Sequence, residues 1–218
     1  MKIQAVILDF DGVILDSCTE GMEKIIEIVG ANGFAIPPNI RSTLKDNWGK
    51  TPAKALEISF GLDPQTSREI SKRWGELSPL SLVAGAENVL STLKFIKKMK
   101  LGLLTSRDWT SLFPILKHHS LIRFFGSCIQ CENDFPYIKP DPRVFDCILE
   151  LLGVSKSECI YVGDTPIDFA AARDKEIENI SVLTGVNGKN EFLAIGQKEE
   201  NIINSIADLP EWIEKYRT

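Results

Sequence analysis

Two carboxylates two residues apart, Asp9 and Asp11, follow an apolar run over residues 3–8 and precede Gly12. Like charges that close repel each other and resist desolvation, unless a divalent cation or a reacting phosphoryl group shares the site. Three later segments supply matching chemistry. Thr105 and Ser106 end a second apolar run just before a helical stretch, where hydroxyls and free helix amides can hold a phosphate. Lys139 precedes Pro140-Asp141-Pro142, and a loop stiffened by prolines can aim an ammonium, expected at the rim of the site, at phosphoryl oxygens and at an attacking carboxylate. Asp164 stands between Gly163 and Thr165, at an expected strand tip suited to a cation. Asp168 lies three residues beyond the expected N-cap Thr165, with Pro166 in the first turn. It reads either as the reciprocal half of a capping box or as a group that ligates or orients around a metal.

These residues need a frame that gathers them. Five short apolar runs stand out, over residues 3–8, 101–104, 127–130, 159–162 and 180–183, with helical periodicity between most of them. Alternation of this kind predicts an α/β fold, a doubly wound parallel sheet covered by helices on both faces. Ligands in such sheets bind beyond the carboxyl ends of the strands, where the acids fall. The interval of about 90 residues between the first two runs is too long for one crossover. It reads as a small helical cap over 16–83, inserted into a core formed by 1–15 and 84–218, with hinges near Asp16 and residues 79–85. Ser17 and Glu20 have capping-box spacing for its first helix, and further helices are expected over 41–46, 53–60 and 66–77.

Composition narrows the function classes. The chain of 218 residues is 44% hydrophobic, enough to bury a sizeable core, and 25 basic against 30 acidic residues leave a net charge of −5. No basic footprint for nucleic acid or an anionic membrane follows from that balance. No apolar stretch approaches the roughly 20 residues of a membrane span, and the first run ends in acid, unlike a signal peptide, so a cytoplasmic protein is expected. Five cysteines at 18, 128, 131, 147 and 159 form no disulfide framework. Cys128 and Cys131 have the spacing of half a zinc site or of a redox pair, with no second pair to complete a zinc site.

Taken in order, Asp9-Phe10-Asp11-Gly12-Val13, Thr105-Ser106, Lys139-Pro140 and Gly163-Asp164 through Asp168 resemble the four motifs of the haloacid dehalogenase superfamily. The helical insertion and the phrase from Asp9 to Ser17 resemble its phosphoglycolate phosphatase and β-phosphoglucomutase branch, whose core is a Rossmann-like sheet. The resemblance implies that Asp9 is a nucleophile forming an aspartyl-phosphate, that Asp11 is the acid and base, and that Thr105, Ser106 and Lys139 bind the phosphoryl group. It implies Mg²⁺ held by Asp9, the Asp11 main-chain carbonyl and Asp164. Asp11 separates this chain from the dehalogenases, which lack a carboxylate there. Lys175-Glu176-Ile177 departs from the relatives, which often carry a small residue and glycine before the isoleucine.

The expected activity is hydrolysis of a small phosphorylated metabolite of the phosphoglycolate or sugar-phosphate class, by a monomer or homodimer. A phosphomutase, a phosphonoacetaldehyde-type hydrolase using a cap lysine, and a noncatalytic phosphate-binding or regulatory protein are the alternatives. Gly49 and Lys50, in Asn47-Trp48-Gly49-Lys50-Thr51-Pro52, resemble the family's specificity loop, and Arg107, Arg41 and Arg73 are candidates for an acidic substrate. His118-His119 and the terminal Trp212, Ile213 and Tyr216 read as structural.

Overall fold

The structure is a computed structural model that describes residues 3–48, 50–77 and 81–217. Strand β1 (Ala5–Leu8) is buried along its whole length, as an unbroken apolar run must be at the centre of a parallel sheet. Its pleat sends Val6 and Leu8 into one hydrophobic cluster and Ala5 and Ile7 into the other. The remaining strands are β2 (Lys100–Leu104), β3 (Ile129–Gln130), β4 (Cys159–Gly163), β5 (Glu178–Val182) and β6 (Ile202–Ile203). All pair in parallel, in the order β3-β2-β1-β4-β5-β6. This is the doubly wound arrangement expected, extended by one two-residue edge strand too short to stand out as an apolar run.

Between β1 and β2 lie α1 (Met22–Ala31), α2 (Ile40–Asn47), α3 (Pro52–Phe60), α4 (Pro64–Leu77) and α5 (Ala86–Ser91). The expected helices over 41–46, 53–60 and 66–77 fall inside α2, α3 and α4. Thr51 caps α3 by accepting from the Lys54 amide, with Pro52 in the first turn. The later helices are α6 (Trp109–His118), α7 (Ile122–Phe125), α8 (Phe145–Leu152), α9 (Pro166–Lys175), α10 (Lys189–Ala194) and α11 (Leu209–Arg217). Trp212 and Ile213 bury α11 as expected, whereas Tyr216, expected to dock with them, is exposed.

The segments leading into and out of α1–α4 run side by side. The Asp16 amide donates to Ser81 O at 2.8 Å, the Val83 amide donates to Ile14 O at 2.9 Å, and Leu15 bridges Leu82 antiparallel. The expected capping box of Ser17 and Glu20 does not form. Residues Ser17–Gly21 make a π-helical turn; Ser17 Oγ instead accepts from the Gly12 amide, while the Glu20 carboxylate accepts from the Ser81 amide and hydroxyl. The two groups are drawn to the β1 turn and to the returning chain, whose positions a local pattern does not encode. Part of the expected second hinge, residues 79 and 80, lies outside the described residues, as does Gly49. No described helix is long and apolar enough to cross a membrane.

Candidate active site

Register alone brings the acids together. Leu8 is level with Leu103 on β2 and Val162 on β4, so Asp9, Thr105 and Asp164 all emerge within two residues of one sheet edge. The Asp9 amide still donates to Val162 O at 2.9 Å, and the Thr105 amide donates to Gln130 O at 3.1 Å, which anchors both residues to the sheet.

Lys139 is the centre of the charge arrangement. Rather than standing at the rim, its side chain is only 6% exposed. The ammonium lies 3.1 Å from Asp9 Oδ2 and donates to Asp168 Oδ1 at 2.7 Å and to the Tyr161 hydroxyl at 3.2 Å. Burial alone would lower its affinity for a proton, but Asp168 and Asp9 outweigh that and hold it above the ordinary lysine range.

Asp168 resolves into the capping reading with an added task. Its Oδ2 accepts from the Thr165 amide at 3.1 Å and hydroxyl at 2.6 Å, and the Thr165 hydroxyl accepts from the Asp168 amide. Its Oδ1 accepts from Lys139 and, at 2.6 Å, from the Tyr161 hydroxyl. Burial opposes the charge, yet Lys139 and the hydrogen bonds from Lys139, Thr165 and Tyr161 keep this carboxyl below its usual value. Both oxygens are engaged, so Asp168 fastens Lys139 beside Asp9.

Asp164 is the opposite case. It is buried, and its Oδ2 has no hydrogen-bond partner. A Cβ placed on Gly12 or Gly185 would come within 2.2 Å and 2.1 Å of that oxygen, so the two glycines leave the space in which it sits, and Gly12 also adopts φ +71°. Burial, reinforced by Asp168 and Asp9, pushes the Asp164 carboxyl well above its usual range. Burial likewise lifts Asp9 to about 7, against the lowering effect of Lys139 and with the help of Asp168 and Asp11. Ligand atoms of Asp9, Asp164 and Asp168 lie within 4.8 Å of one another. Hard carboxylate oxygens, one of them orphaned and two reluctant to ionise unaided, fit a hard divalent cation. The only such cluster among the described residues is this one, and Cys128 and Cys131 belong to none.

Asp108, not Thr105 or Ser106, takes the capping role at the start of α6, accepting from the Ser111 amide at 2.8 Å, while the Thr105 hydroxyl accepts from the Arg107 amide at 3.2 Å. Arg107 is 1% exposed and forks onto Asp11, with Nε to Oδ2 and Nη2 to Oδ1 both at 2.7 Å. Asp9, Asp11, Thr105, Ser106, Arg107, Lys139 and Asp164 line one cleft, whose other wall is Ile25, Trp48, Lys50, Pro52, Ala55 and Trp74 from α1, α3, α4 and the α2–α3 loop. Arg73 does not line it, and Arg41 is an exposed partner of Glu23.

Sequence reasoning passed over Tyr161, Trp74 and Thr184. The Thr184 hydroxyl donates to Gly12 O at 2.5 Å and ties the β5 exit to the β1 turn. The signal available for it was the pair Thr184-Gly185 directly after an apolar run; Tyr161 and Trp74 read as core residues in any pattern.

A family model described as haloacid dehalogenase-like hydrolase matches residues 6–182. The chain is 26% identical over 201 residues to the phosphoglycolate phosphatase of Pseudomonas syringae pv. tomato, covering 84% of this chain and 70% of that one. It is 24% identical over 217 residues to the pyrophosphatase PpaX of Bacillus mycoides, covering 96% of each. The crystal structure of a hydrolase from Pseudomonas syringae shares the fold with a TM-score of 0.81 at 22% identity, covering 99% of this chain and 100% of that one. Because the family match runs from β1 to the last residue of β5, it takes in every strand that feeds the cleft, and the chain belongs to the haloacid dehalogenase-like hydrolases.

Proposed function

We propose that the protein is a Mg²⁺-dependent phosphatase that hydrolyses a small phosphorylated metabolite, of the phosphoglycolate or sugar-phosphate class, through an aspartyl-phosphate on Asp9. The observation that carries this reading is the buried set of Asp9, Lys139 and Asp164 at one sheet edge, with Asp164 Oδ2 left without a partner. The similarity to a phosphoglycolate phosphatase and a pyrophosphatase supports the same reaction class.

Asp9 attacks phosphorus, an oxygen–phosphorus bond forms, and the bond to the ester oxygen breaks in line. Asp11 gives its proton to the departing alkoxide. It then takes a proton from the water that attacks the aspartyl-phosphate, and cleavage of that bond releases phosphate and restores Asp9. Lys139 draws charge off the phosphoryl oxygens while Asp168 and Tyr161 hold it in place, and Thr105 and Ser106 bind the remaining oxygens. Asp9, the Asp11 carbonyl and Asp164 would hold Mg²⁺, which supplies positive charge that favours the ionised carboxylates and screens the anionic phosphoryl group. Helices α1–α4 serve as a cap whose Lys50 meets the substrate.

Release of phosphate from a panel of small phosphate esters, with Mg²⁺ and with a chelator control, tests the activity. Asp9→Asn should lower turnover by roughly 10³-fold or more with the fold intact, the loss expected on removing a nucleophile. Full turnover by that variant would exclude the covalent route.

A further inference from the structure

Two donors in the cleft have no acceptor. Arg107 spends Nε and Nη2 on Asp11, but Nη1 is buried and unpartnered. The same is true of Trp74 Nε1, on a residue 5% exposed. The two groups are neighbours, since the guanidinium carbon stands 4.4 Å from the centre of the Trp74 ring. Both residues line the cleft that holds Asp9, Thr105 and Lys139. Buried polar groups in folded proteins are nearly always paired, so two orphaned donors at one place indicate that a ligand completes them. Neither an indole N–H nor a guanidinium can accept, so the occupant must bring acceptor oxygens, and the guanidinium selects a negatively charged one. The nearby wall of Ile25, Trp48, Pro52 and Ala55 strengthens that preference by excluding water.

We infer that Arg107 and Trp74 form a recognition site for a second anionic group, a carboxylate or a phosphate, carried by the same ester whose phosphoryl group faces Asp9. This rests on the phosphatase reading and sharpens it: the substrate is a small phosphate ester with a second negative charge. Both Asp11 carboxylate oxygens accept from Arg107 through Nε and Nη2, so an anion at Nη1 binds a guanidinium that Asp11 already orients.

The test compares phosphoglycolate with 2-hydroxyethyl phosphate, which differs in having a neutral alcohol where the first has a carboxylate. The wild type should favour the acid ester by about 100-fold or more in kcat/KM, the scale of a buried charge-assisted pair. Arg107→Met should collapse that ratio to below about tenfold, mainly by loss on the acid ester. Trp74→Phe, which keeps the ring and removes the N–H, should lower kcat/KM about three- to tenfold on the acid ester alone. Should Arg107→Met fail to fold, Trp74→Phe carries the test. Equal kcat/KM for the two esters in the wild type would overturn the inference while leaving the phosphatase reading in place. If neither ester is hydrolysed, binding decides the anion site by itself, and the phosphatase reading is decided on the wider ester panel. Phosphonoacetate must then raise Tm more than methylphosphonate does, and Trp74→Phe must shrink the difference; equal shifts overturn the site.

Discussion

Asp9 and Asp164 are carboxylates placed where water cannot solvate them, and their proton affinity follows from that. Burial lifts Asp9 from its ordinary value to about 7 and Asp164 well above its usual range. In the unfolded chain both titrate near pH 4. Between about pH 4 and 7 the folded protein therefore binds more protons than the unfolded one, and its stability without metal falls as pH rises through that window. Asp168, held low, works in the opposite sense and only below about pH 4. A cation bound to Asp9 and Asp164 must displace those protons, so its stabilising effect grows with pH. Thermal unfolding with and without Mg²⁺ should show a larger rise in Tm at pH 8 than at pH 5.5; equal rises would mean that the two carboxyls are already ionised at the lower pH. The acids themselves were legible in the sequence because each sits at the end of an apolar run. Tyr161 was not, since a tyrosine in such a run is indistinguishable from core until Asp168 is seen at 2.6 Å from its hydroxyl.

At the scale of elements, the exit of α9 shows where a local departure has a local consequence. Glu176 caps the helix at φ +63°, with its amide donating to Arg173 O and that of Ile177 donating to Ala172 O. A residue with a Cβ is strained there, and the exposed ion pair of Glu176 with Lys156 compensates little. Glu176→Gly should therefore raise Tm by about 2 °C with turnover unchanged, because the turn is remote from the cleft. A fall in Tm would mean that the ion pair outweighs the backbone strain. The sequence flagged this turn because its residues depart from those of relatives, and strands β1, β2, β4 and β5 were readable from apolar runs. The π-helical turn at Ser17–Gly21 was not readable, because Ser17 and Glu20 spend their side chains on Gly12 and Ser81, partners set by how the chain returns from the inserted helices.

Across the whole molecule, the inserted helices and the sheet share one interior. Ile25, Val29, Leu44, Leu56, Ile70 and Trp74 belong to the same buried cluster as Val6, Leu8, Leu112 and Ile160. The insertion was visible in the sequence as an overlong interval, but its continuity with the core was not, since helical periodicity tells which face is apolar and not what covers it. Elements that bury one another's apolar surface lose it together, so the chain should unfold in a single transition in spite of its interrupted topology. Four tryptophans make this measurable. Trp48 and Trp74, with ring centres 6.4 Å apart, report on the inserted helices, while Trp212 reports on α11. In a variant with Trp109→Phe and Trp212→Phe, the remaining fluorescence follows the insertion alone, and far-ultraviolet circular dichroism follows the whole chain. The two urea midpoints should coincide. A fluorescence midpoint at lower urea would show that the insertion opens as its own unit. The hydrogen-bonded pair of links, Asp16 to Ser81 and Val83 to Ile14, would then be the boundary at which cooperativity ends.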